Sequence, residues 1–364
     1  MVRLIHPRAP SESDFSKIYS DICERGVFTN NGYYLDKFEK SLCEFTGLDD
    51  LVVVNNGTSA LMLALIALEL TGSIITTPFT FAATANSIAL TKAKINFGGV
   101  DGDSFNLEPD NLSNEVVAHS SAILGVLCYG NTYGAKKLEN IASQNAKPIV
   151  FDAAHAFGKE DTACKSVLRL GTLSVTSFHA TKVLSSIEGG AIYSSDTSMM
   201  NRIRSLRNFG LTDAGVVEHV GFNAKMSELH AAVGLLNLRY LQDDIIKRCE
   251  VAKKYDQALH NSKCLRSALV HDNDFSNNGA YYPIVFQSSN GGNIESLMRS
   301  LEIANVQFRR YFYPALTEHP VYNNLHCEID NSIKRDMQNI ICLPIHPFLT
   351  SAETDLVCKV LEEY

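Results

Sequence analysis

The 364-residue sequence contains no apolar run of the roughly 20 residues that a helix needs to cross a bilayer. The longest candidate, residues 61–70, is interrupted by Glu69 and predicts a buried helix instead. The first residues, MVRLIHPRAPSESD, have no apolar segment of the kind that a secretory signal requires. We therefore expect a protein that neither spans a membrane nor enters the secretory route.

Basic residues are not in excess, and the cysteines are not arranged in pairs. There are 32 Lys and Arg against 40 Asp and Glu, which gives a net charge of -8 and a pI near 5.8. This balance argues against nucleic-acid partners and against a general attraction to anionic membranes. The nine cysteines are scattered without a CxxC pair. This pattern fits a reducing cytoplasm and indicates neither a disulfide framework nor a metal site.

Short apolar segments alternate with helical patterns from residue 51 onward, after an N-terminal arm with a predicted helix at 34–45. Seven segments have the length and composition of buried strands: 51–54, 73–77, 94–97, 122–127, 148–151, 173–178 and 191–194. Continuous apolar strands separated by helices predict an α/β fold with a mostly parallel seven-stranded sheet that is covered on both faces.

The pattern changes after residue 223. Leu229, Val233, Leu236 and Tyr240 mark one helical face, and we predict a single long helix that continues through the charged stretch 243–254. A strand at 281–286, a helix at 294–302 and a last helix at 351–361 then predict an α+β unit. We expect a large domain of residues 1–240, with the N-terminal arm, and a small C-terminal domain of residues 241–364.

Lys182 lies in TSFHATKVLSSIEGGAI (176–192), between an apolar strand and a glycine pair. Most loop lysines are simply solvated, and that is the ordinary interpretation. A lysine that forms a Schiff base has to be neutral and held in place, and small neighbours beside a buried strand suit that purpose.

Asp152 follows a buried strand in PIVFDAAHAFG, at the end where open α/β sheets bind ligands. It is either a helix N-cap or a carboxylate that keeps a pyridine nitrogen protonated. The second role is the one that a pyridoxal phosphate (PLP) enzyme requires. One predicted strand separates Asp152 from Lys182, so both can reach one site.

A phosphate site is indicated by NNGTSALMLAL (55–65), where Gly57, Thr58 and Ser59 open a helix directly after a strand. Free backbone N–H groups and the helix dipole favour an anion there, although an ordinary Ser/Thr cap fits equally well. The Ser177 hydroxyl could bind the same phosphate, or it could be a strand-end serine without a ligand.

An aromatic side chain is available to cover a cofactor ring. Phe81, in TPFTFAATAN, lies at a strand–helix junction, where a core role is the commoner one. His155, one turn after Asp152, could support the ring or the carboxylate, or it could be structural.

These segments, in this order, resemble the DegT-type family of sugar-nucleotide aminotransferases, which are PLP enzymes of the aspartate aminotransferase fold (fold type I). The similarity extends over nearly the whole chain. Its blocks are VFTNNG (27–32), GTSAL (57–61), PFTFAATAN (78–86), DAAHAFG (152–158), SFHATK with IEGGAI (177–192), GFNAKMSELHAAVGL (221–235), RRYFYPAL (309–316) and LPIHPFLT (343–350).

The resemblance implies a role for each matching position. Lys182 would bind PLP as a Schiff base and transfer protons, and Asp152 would pair with the pyridine nitrogen. Phe81 would stack on the ring, with His155 beside it. Three hydroxyl groups are assigned to the cofactor phosphate, namely those of Thr58, Ser59 and Ser177.

The resemblance also implies partners. Asn223 matches a residue that reaches the phosphate of the neighbouring subunit, which implies a homodimer with shared sites. Arg309, Tyr311 and Tyr313 match a segment near the sugar nucleotide. Within the family, SFHATK followed by EGG is similar to the branch that aminates C4 of a 4-keto-6-deoxyhexose. L-Glutamate and dTDP-4-keto-6-deoxyglucose are the expected substrates, in the synthesis of an amino sugar for O-antigen or another glycan.

Alternatives remain at this stage. UDP- or GDP-linked sugars and 3-keto sugars are possible substrates, and Phe81 stands where family members also carry tryptophan, which this chain lacks altogether. A cysteine desulfurase or an amino-acid-only aminotransferase of the same fold is the nearest rival. A non-catalytic regulator would be expected to have lost Lys182 or Asp152. A dinucleotide-binding enzyme would need GxGxxG, which NNGTSA does not provide.

Overall fold

The computed structural model describes residues 1–270, 274–287 and 293–364 of the chain. The helices in these ranges are α1 (Glu12–Arg25), α2 (Tyr33–Thr46), α3 (Gly57–Ala67), α4 (Ala82–Leu90), α5 (Asn114–Ala118), α6 (Ala135–Gln144), α7 (Thr197–Arg207), α8 (Glu228–Leu238), α9 (Leu241–Leu259), α10 (Ile294–Ile303), α11 (Asn331–Gln338) and α12 (Ser351–Leu361). The strands are β1 (Val52–Val54), β2 (Ser73–Thr76), β3 (Lys94–Phe97), β4 (Ala122–Val126), β5 (Ile149–Asp152), β6 (Leu173–Ser177), β7 (Gly190–Tyr193), β8 (Leu265–Ser267), β9 (Tyr282–Phe286) and β10 (Ile340–Leu343).

The seven predicted strands form one sheet in the order β1-β7-β6-β5-β4-β2-β3. The five strands β3, β2, β4, β5 and β6 run parallel to one another. Strand β7 is antiparallel to the two strands beside it, β6 and β1. The prediction of a mostly parallel seven-stranded sheet is therefore confirmed. Because the parallel strands end at one edge, the residues that follow β4, β5 and β6 meet there.

Alternate residues of these strands point to opposite faces of the sheet, and each face is covered by helices. Val53, Ile123 and Phe151 belong to a core that includes side chains of α2, α6 and α8. Val54 and Leu124 belong to a second core, which includes side chains of α3 and α7. Helix α3 is almost entirely apolar and buried, so its N-terminus is held rigidly against the end of the sheet.

The second sheet is antiparallel, with the order β10-β9-β8. One of its faces packs against α9, α10 and α12. The other face contributes Val285 and Cys342 to a core shared with Phe79, Phe105 and Tyr129 from the region of the large sheet. This contact places the residue that precedes β9, Tyr281, above the edge where the parallel strands end. The boundary proposed at residue 240 stays a prediction.

The prediction of one long helix after residue 223 is wrong, because α8 and α9 are separate helices. Arg239 and Tyr240 form a turn between the two helices. The Tyr240 ring packs under the guanidinium of Arg8, with 4.5 Å between the Cζ atom and the ring centroid. The N-terminal arm therefore lies against the turn between α8 and α9.

Two general features of the described residues concern the environment of the protein. None of their helices combines the length and the apolar character that crossing a membrane would need. All nine cysteines are free thiols.

Candidate active site

A cavity of about 290 Å³ opens at the carboxyl ends of β4, β5 and β6. Its floor includes Val126, Asp152 and Ser177, the last residues of these three strands. The N-terminus of α3 forms one wall, and Tyr281 and Arg309 approach from the side of the second sheet. The cavity is therefore built from both sheets, at the position where α/β proteins bind ligands.

Asp152 is the last residue of β5 and is only 8% exposed. One carboxylate oxygen accepts the Ala154 N–H at 3.1 Å, and the other accepts the Thr84 hydroxyl at 3.0 Å. Burial raises the pKa of the carboxyl group, while both hydrogen bonds and the charge of Lys182 oppose that rise. The two hydrogen bonds thus hold the carboxylate in one orientation. Because burial disfavours its negative charge, a cationic group of a ligand would stabilise the charged form.

Lys182 lies on the segment that joins β6 to β7, and this segment is tightly bonded to itself. The N–H of Ala180 donates to Ile187 O and that of Ser186 donates to Phe178 O, at 2.8 and 2.9 Å. Ser185 O in turn accepts the side-chain amide of Asn237 on α8 at 2.8 Å. The loop is therefore rigid, and it fixes the base of the lysine side chain.

The amine of Lys182 points into the cavity and contacts the Tyr281 hydroxyl at 3.3 Å. Burial lowers the pKa of Lys182 from 10.5 to about 8, although the carboxylate of Asp152 opposes this shift. A substantial fraction of the amine is consequently neutral near pH 8. A neutral, fixed amine is able to attack a carbonyl group and to act as a base.

The N-terminus of α3 is shaped to receive an anion. Asn56 caps the helix by accepting the Ser59 N–H at 2.8 Å, while Gly57 and Thr58 face the cavity. A Cβ atom added at Gly57 would lie 2.9 Å from Ser177 Cβ, so only glycine allows the two elements to approach so closely. Thr58 and Ser177, which carry hydroxyl groups, therefore line the same cavity as the N-terminus of a buried helix, whose positive end favours an anion.

Two predicted aromatic residues line the cavity in different ways. Phe81 precedes α4 and is 60% exposed, at the mouth of the cavity. His155 is 8% exposed, and its Nδ1 accepts the Tyr129 N–H at 3.1 Å. Burial and the nearby charge of Lys182 lower the pKa of His155 well below its usual value, so the imidazole is neutral. The cavity thus has a neutral ring inside and an accessible ring at its entrance.

The predicted substrate segment contributes two of its three residues to the cavity. Arg309 and Tyr311 line it, and the Arg309 Cζ lies 5.0 Å from the Tyr311 ring centroid. The backbone of Arg309 pairs with Cys342 of β10, so the guanidinium is carried by the second sheet. Tyr313 lies outside the cavity and packs against Arg310 instead, with 3.5 Å between that guanidinium and the ring centroid.

Two further predicted residues lie outside this cavity. Ser59 is buried within the first turn of α3. Asn223 is exposed and forms an isolated antiparallel β-bridge with Asn208. The preceding segment carries Val216, Val217 and Val220, which are 55 to 89% exposed. The role that the resemblance assigns to Asn223 concerns the site of a neighbouring subunit and stays a prediction.

Sequence reasoning missed several residues that the fold brings to the cavity. Thr84 holds Asp152 across 68 residues of sequence, and Tyr281 contacts Lys182 across 99 residues. Phe312 stacks nearly parallel to His155, with 5.8 Å between their ring centroids. Thr84 could have been found as the threonine one turn into the helix of PFTFAATAN, but Tyr281 carries no local signal.

Comparison with known proteins identifies the family. Residues 11–362 match the model of the DegT/DnrJ/EryC1/StrS aminotransferase family, and the chain belongs to this family. It is 36% identical over 359 residues to a dTDP-4-amino-4,6-dideoxy-D-glucose transaminase of Shigella dysenteriae, covering 98% of this chain and 97% of the relative. The family predicted from the sequence blocks is thereby confirmed.

Other relatives carry different nucleotides in their names. A UDP-4-amino-4,6-dideoxy-N-acetyl-beta-L-altrosamine transaminase of Campylobacter jejuni is 31% identical over 344 residues, or 91% of this chain and 89% of that protein. Among solved structures, that of DesI in the presence of its TDP-sugar product superimposes with a TM-score of 0.92 at 28% identity, covering 100% of this chain and 92% of that one. The predicted fold is confirmed, and the chain is a sugar aminotransferase by family.

Proposed function

We propose that this aminotransferase uses PLP to move an amino group from L-glutamate to C4 of a nucleotide-linked keto sugar, namely dTDP-4-keto-6-deoxyglucose. One observation carries the proposal. A lysine whose pKa is lowered to about 8 shares a cavity with a buried carboxylate and with the N-terminus of a buried helix. This set of groups matches the aldehyde, the ring nitrogen and the phosphate of a single compound.

The chemistry of the cavity fits PLP at three points. Asp152 offers a fixed carboxylate for a protonated ring nitrogen. The hydroxyl groups of Thr58 and Ser177 and the N-terminus of α3 offer donors for a phosphate, in a cradle that a side chain at Gly57 would fill. Lys182 offers the amine. The role of Ser59 stays a prediction, since its side chain lies outside the cavity lining.

When bound, PLP supplies an electron sink that stabilises the carbanion formed when a C–H bond beside the amino nitrogen breaks. The protein supplies the remaining functions. The neutral Lys182 amine accepts the proton from Cα of glutamate and later returns a proton at the new amine-bearing carbon. The Asp152 carboxylate keeps the ring nitrogen positive, and Thr84 keeps that carboxylate in place. Phe81 and His155 line the same cavity, and with PLP bound they would cover its ring and limit the access of water.

The substrates are proposed on the basis of the relatives and of the cavity wall. The Shigella dysenteriae relative is named for a dTDP-sugar, and the structure of DesI was determined in the presence of its TDP-sugar product; the chain matches both over nearly its whole length. Arg309 and Tyr311 line the cavity, which supports the proposal that they contact the sugar nucleotide. The Campylobacter jejuni relative, which is named for a UDP-sugar, keeps a UDP-linked substrate as the second candidate. GDP-linked and 3-keto sugars rank below these two, and a regulator without activity ranks last because Lys182 and Asp152 are both present.

We also propose a homodimer in the cytoplasm. Val216, Val217 and Val220 are exposed beside Asn223, which is consistent with a surface covered by a second copy that contributes Asn223 to the partner's phosphate site. The nine free thiols are consistent with a reducing compartment. The aminated sugar would serve the synthesis of O-antigen or another glycan.

The decisive experiment separates the two half-reactions. The protein is loaded with PLP and glutamate, excess amino acid is removed, and dTDP-4-keto-6-deoxyglucose is added while the cofactor absorbance is followed. We expect the absorbance of the PLP form to return only after the keto sugar is added. We expect the sugar product to carry its new amine at C4. The Lys182→Ala variant serves as the control, because it should bind the cofactor without turnover. If the variant kept wild-type turnover, the assignment of Lys182 would be wrong.

If glutamate converts the cofactor but the dTDP-sugar has no effect, the aminotransferase assignment stands and the sugar assignment fails. UDP- and GDP-linked 4-keto sugars and 3-keto sugars would then be added to the same loaded protein. A cofactor that glutamate does not convert would contradict the choice of amino donor.

A further inference from the structure

Two buried threonines are joined by hydrogen bonds to the carboxylate of Asp152. The Thr84 hydroxyl donates to one carboxylate oxygen at 3.0 Å, and its own oxygen lies 2.8 Å from the hydroxyl oxygen of Thr80. Thr80 is 3% exposed and Thr84 has no exposed surface. Thr80 and Asp152 both line the cavity, and Thr84 connects them from inside the protein.

The direction of these hydrogen bonds follows from the number of hydrogens available. A threonine hydroxyl has one hydrogen, and an ionised carboxylate has none. Because the Thr84 hydrogen is donated to Asp152, the Thr84 oxygen accepts the hydrogen of Thr80. Both O–H dipoles then point towards the carboxylate and stabilise its negative charge, and the bond from Thr80 strengthens the bond from Thr84.

Both threonines are fixed by the fold. Thr84 lies in the first turn of α4, where its carbonyl oxygen accepts the Ser87 hydroxyl at 2.8 Å. Thr80 lies just before this helix, on a segment that is tied to the C-terminal part of the chain, since Pro78 O accepts the Leu316 N–H at 3.0 Å. The two hydroxyl groups therefore belong to the framework of the site.

The charge of Asp152 depends on several neighbours. Burial raises the pKa of its carboxyl group, and the Ala154 N–H, the Thr84 hydroxyl and the charge of Lys182 oppose this rise. Lys182 loses its charge as the pH passes about 8. The thiol of Cys128 also interacts with Asp152, but burial raises the pKa of this thiol and keeps it neutral. The two hydrogen bonds are thus the stabilising influences that do not themselves titrate.

We propose that Thr84 is a positioning residue that keeps Asp152 ionised and oriented to hold a protonated ring nitrogen, and that Thr80 reinforces Thr84. The inference rests on the proposed function, in which the PLP nitrogen carries a proton. An ionised Asp152 keeps that proton on the nitrogen, whereas a protonated Asp152 leaves the nitrogen neutral and weakens the electron sink. Thr84 acts through Asp152, since it has no exposed surface with which to contact a substrate.

The effect on the carboxyl group is measured on the cofactor-free protein. The titration of Asp152 is followed by NMR in protein that carries ¹³C at the aspartate carboxyl carbons, and Asp152→Asn identifies the signal. In Thr84→Val, which removes the hydroxyl and keeps the branched shape, we expect the midpoint to rise by about one unit or more. Thr84→Ser keeps the hydroxyl and should retain the wild-type midpoint. Thr80→Val should raise the midpoint by a smaller amount, because it only weakens the remaining bond.

Thr91→Val is the matched control. Thr91 directly follows α4, and its hydroxyl bonds to the backbone oxygens of Ser87 and Ile88 at 3.1 and 2.9 Å. The control therefore removes a threonine hydroxyl at the end of the same helix and should leave the Asp152 midpoint unchanged. A wild-type midpoint in Thr84→Val, or an equal shift in Thr91→Val, overturns the role of Thr84. An unchanged midpoint in Thr80→Val overturns the role of Thr80.

The consequence for the cofactor is measured on the holoenzyme. With PLP labelled with ¹⁵N in the ring, the nitrogen chemical shift distinguishes the protonated ring from the neutral one. We expect the neutral fraction to rise severalfold in Thr84→Val and to return to the wild-type value in Thr84→Ser. If the ring nitrogen is protonated to the same extent in the wild type and in Thr84→Val, the threonine does not control the cofactor and the inference fails.

The outcomes distinguish this inference from the proposed function. If the wild type did not bind PLP or did not convert glutamate, the proposed function would fail, while the carboxyl midpoints would still decide whether the threonines control Asp152. If the wild type transaminates and Thr84→Val matches it in both measurements, only the inference fails. Should Thr84→Val not fold, Thr80→Val tests the same hydrogen bonds from the cavity side, and an unchanged midpoint there would count against them.

Discussion

Replacing Lys182 with methionine should make the cofactor-free protein more stable, although it abolishes activity. The pKa of Lys182 falls from 10.5 to about 8 on folding, chiefly through burial. This lowering of the pKa corresponds to roughly 3 kcal/mol of unfavourable free energy while the amine is charged in both the folded and the unfolded state. Because the side chain is partly accessible from the cavity, water reduces this cost, and we expect a gain of about 1–3 kcal/mol at pH 7.

The pH dependence of the gain has a definite sign. Below pH 8 both the folded and the unfolded wild type carry the proton, so the full penalty applies. As pH rises above 8, the folded lysine loses its proton while the unfolded one keeps it up to a pKa of about 10.4. The unfolded state then binds more protons, so the wild type becomes more stable with rising pH relative to the variant. The advantage of Lys182→Met should therefore shrink steadily between pH 8 and about pH 10.4.

The assay is urea unfolding of both proteins without cofactor, followed by circular dichroism at several pH values from neutral to alkaline. Lys17→Met is the control, since Lys17 is exposed on α1 and its replacement should give no pH-dependent gain. The reasoning would be refuted if Lys182→Met were less stable than the wild type at pH 7. It would also be refuted if the difference in free energy of unfolding between the variant and the wild type were the same at pH 7 and at pH 10.

Three further predictions test other parts of the site. Asp152→Asn removes the carboxylate charge, and we expect steady-state turnover to fall by at least about 100-fold; a loss of less than tenfold would contradict the role. In Gly57→Ala the new methyl would meet Ser177 Cβ at 2.9 Å, so absorbance titration should show about tenfold weaker PLP binding; unchanged affinity would argue against the cradle. Ile187 has a φ of 71°, which disfavours a β-branched residue, and Ile187→Gly should raise the free energy of unfolding in urea by roughly 1 kcal/mol; a clear loss would show that the side chain makes stabilising contacts.

The sequence predicted those parts of the site that depend on local order. Asp152 and Ser177 could be found because each ends an apolar strand, and Thr58 because it opens a helix after one. Parallel strands bring their carboxyl ends to the same edge of the sheet, and this does not depend on contacts elsewhere in the chain. The placement of Lys182 follows from the same logic, since its segment begins where β6 ends.

The remaining features depend on contacts between distant segments and leave no local trace. Tyr281 reaches Lys182 only because the second sheet packs over the first. The single long helix predicted after residue 223 was wrong because the helical pattern of the sequence continues across Tyr240. In the structure a turn ends α8 there, and Tyr240 packs against Arg8 of the N-terminal arm. Local periodicity contains no information about either contact.

The stability that Lys182 costs is tied to the function proposed for it. Folding places an amine and the Asp152 carboxyl in one poorly solvated cavity, where the pKa of the first is lowered and that of the second is raised. A ligand with a cationic ring nitrogen and an electrophilic carbon relieves both effects, because it restores a charge partner to Asp152 and consumes the amine. Binding of such a ligand should therefore stabilise the folded state by more than its contacts alone would suggest. Under the proposed function, the electrostatic cost in the cofactor-free protein would be part of what makes the cavity selective for PLP.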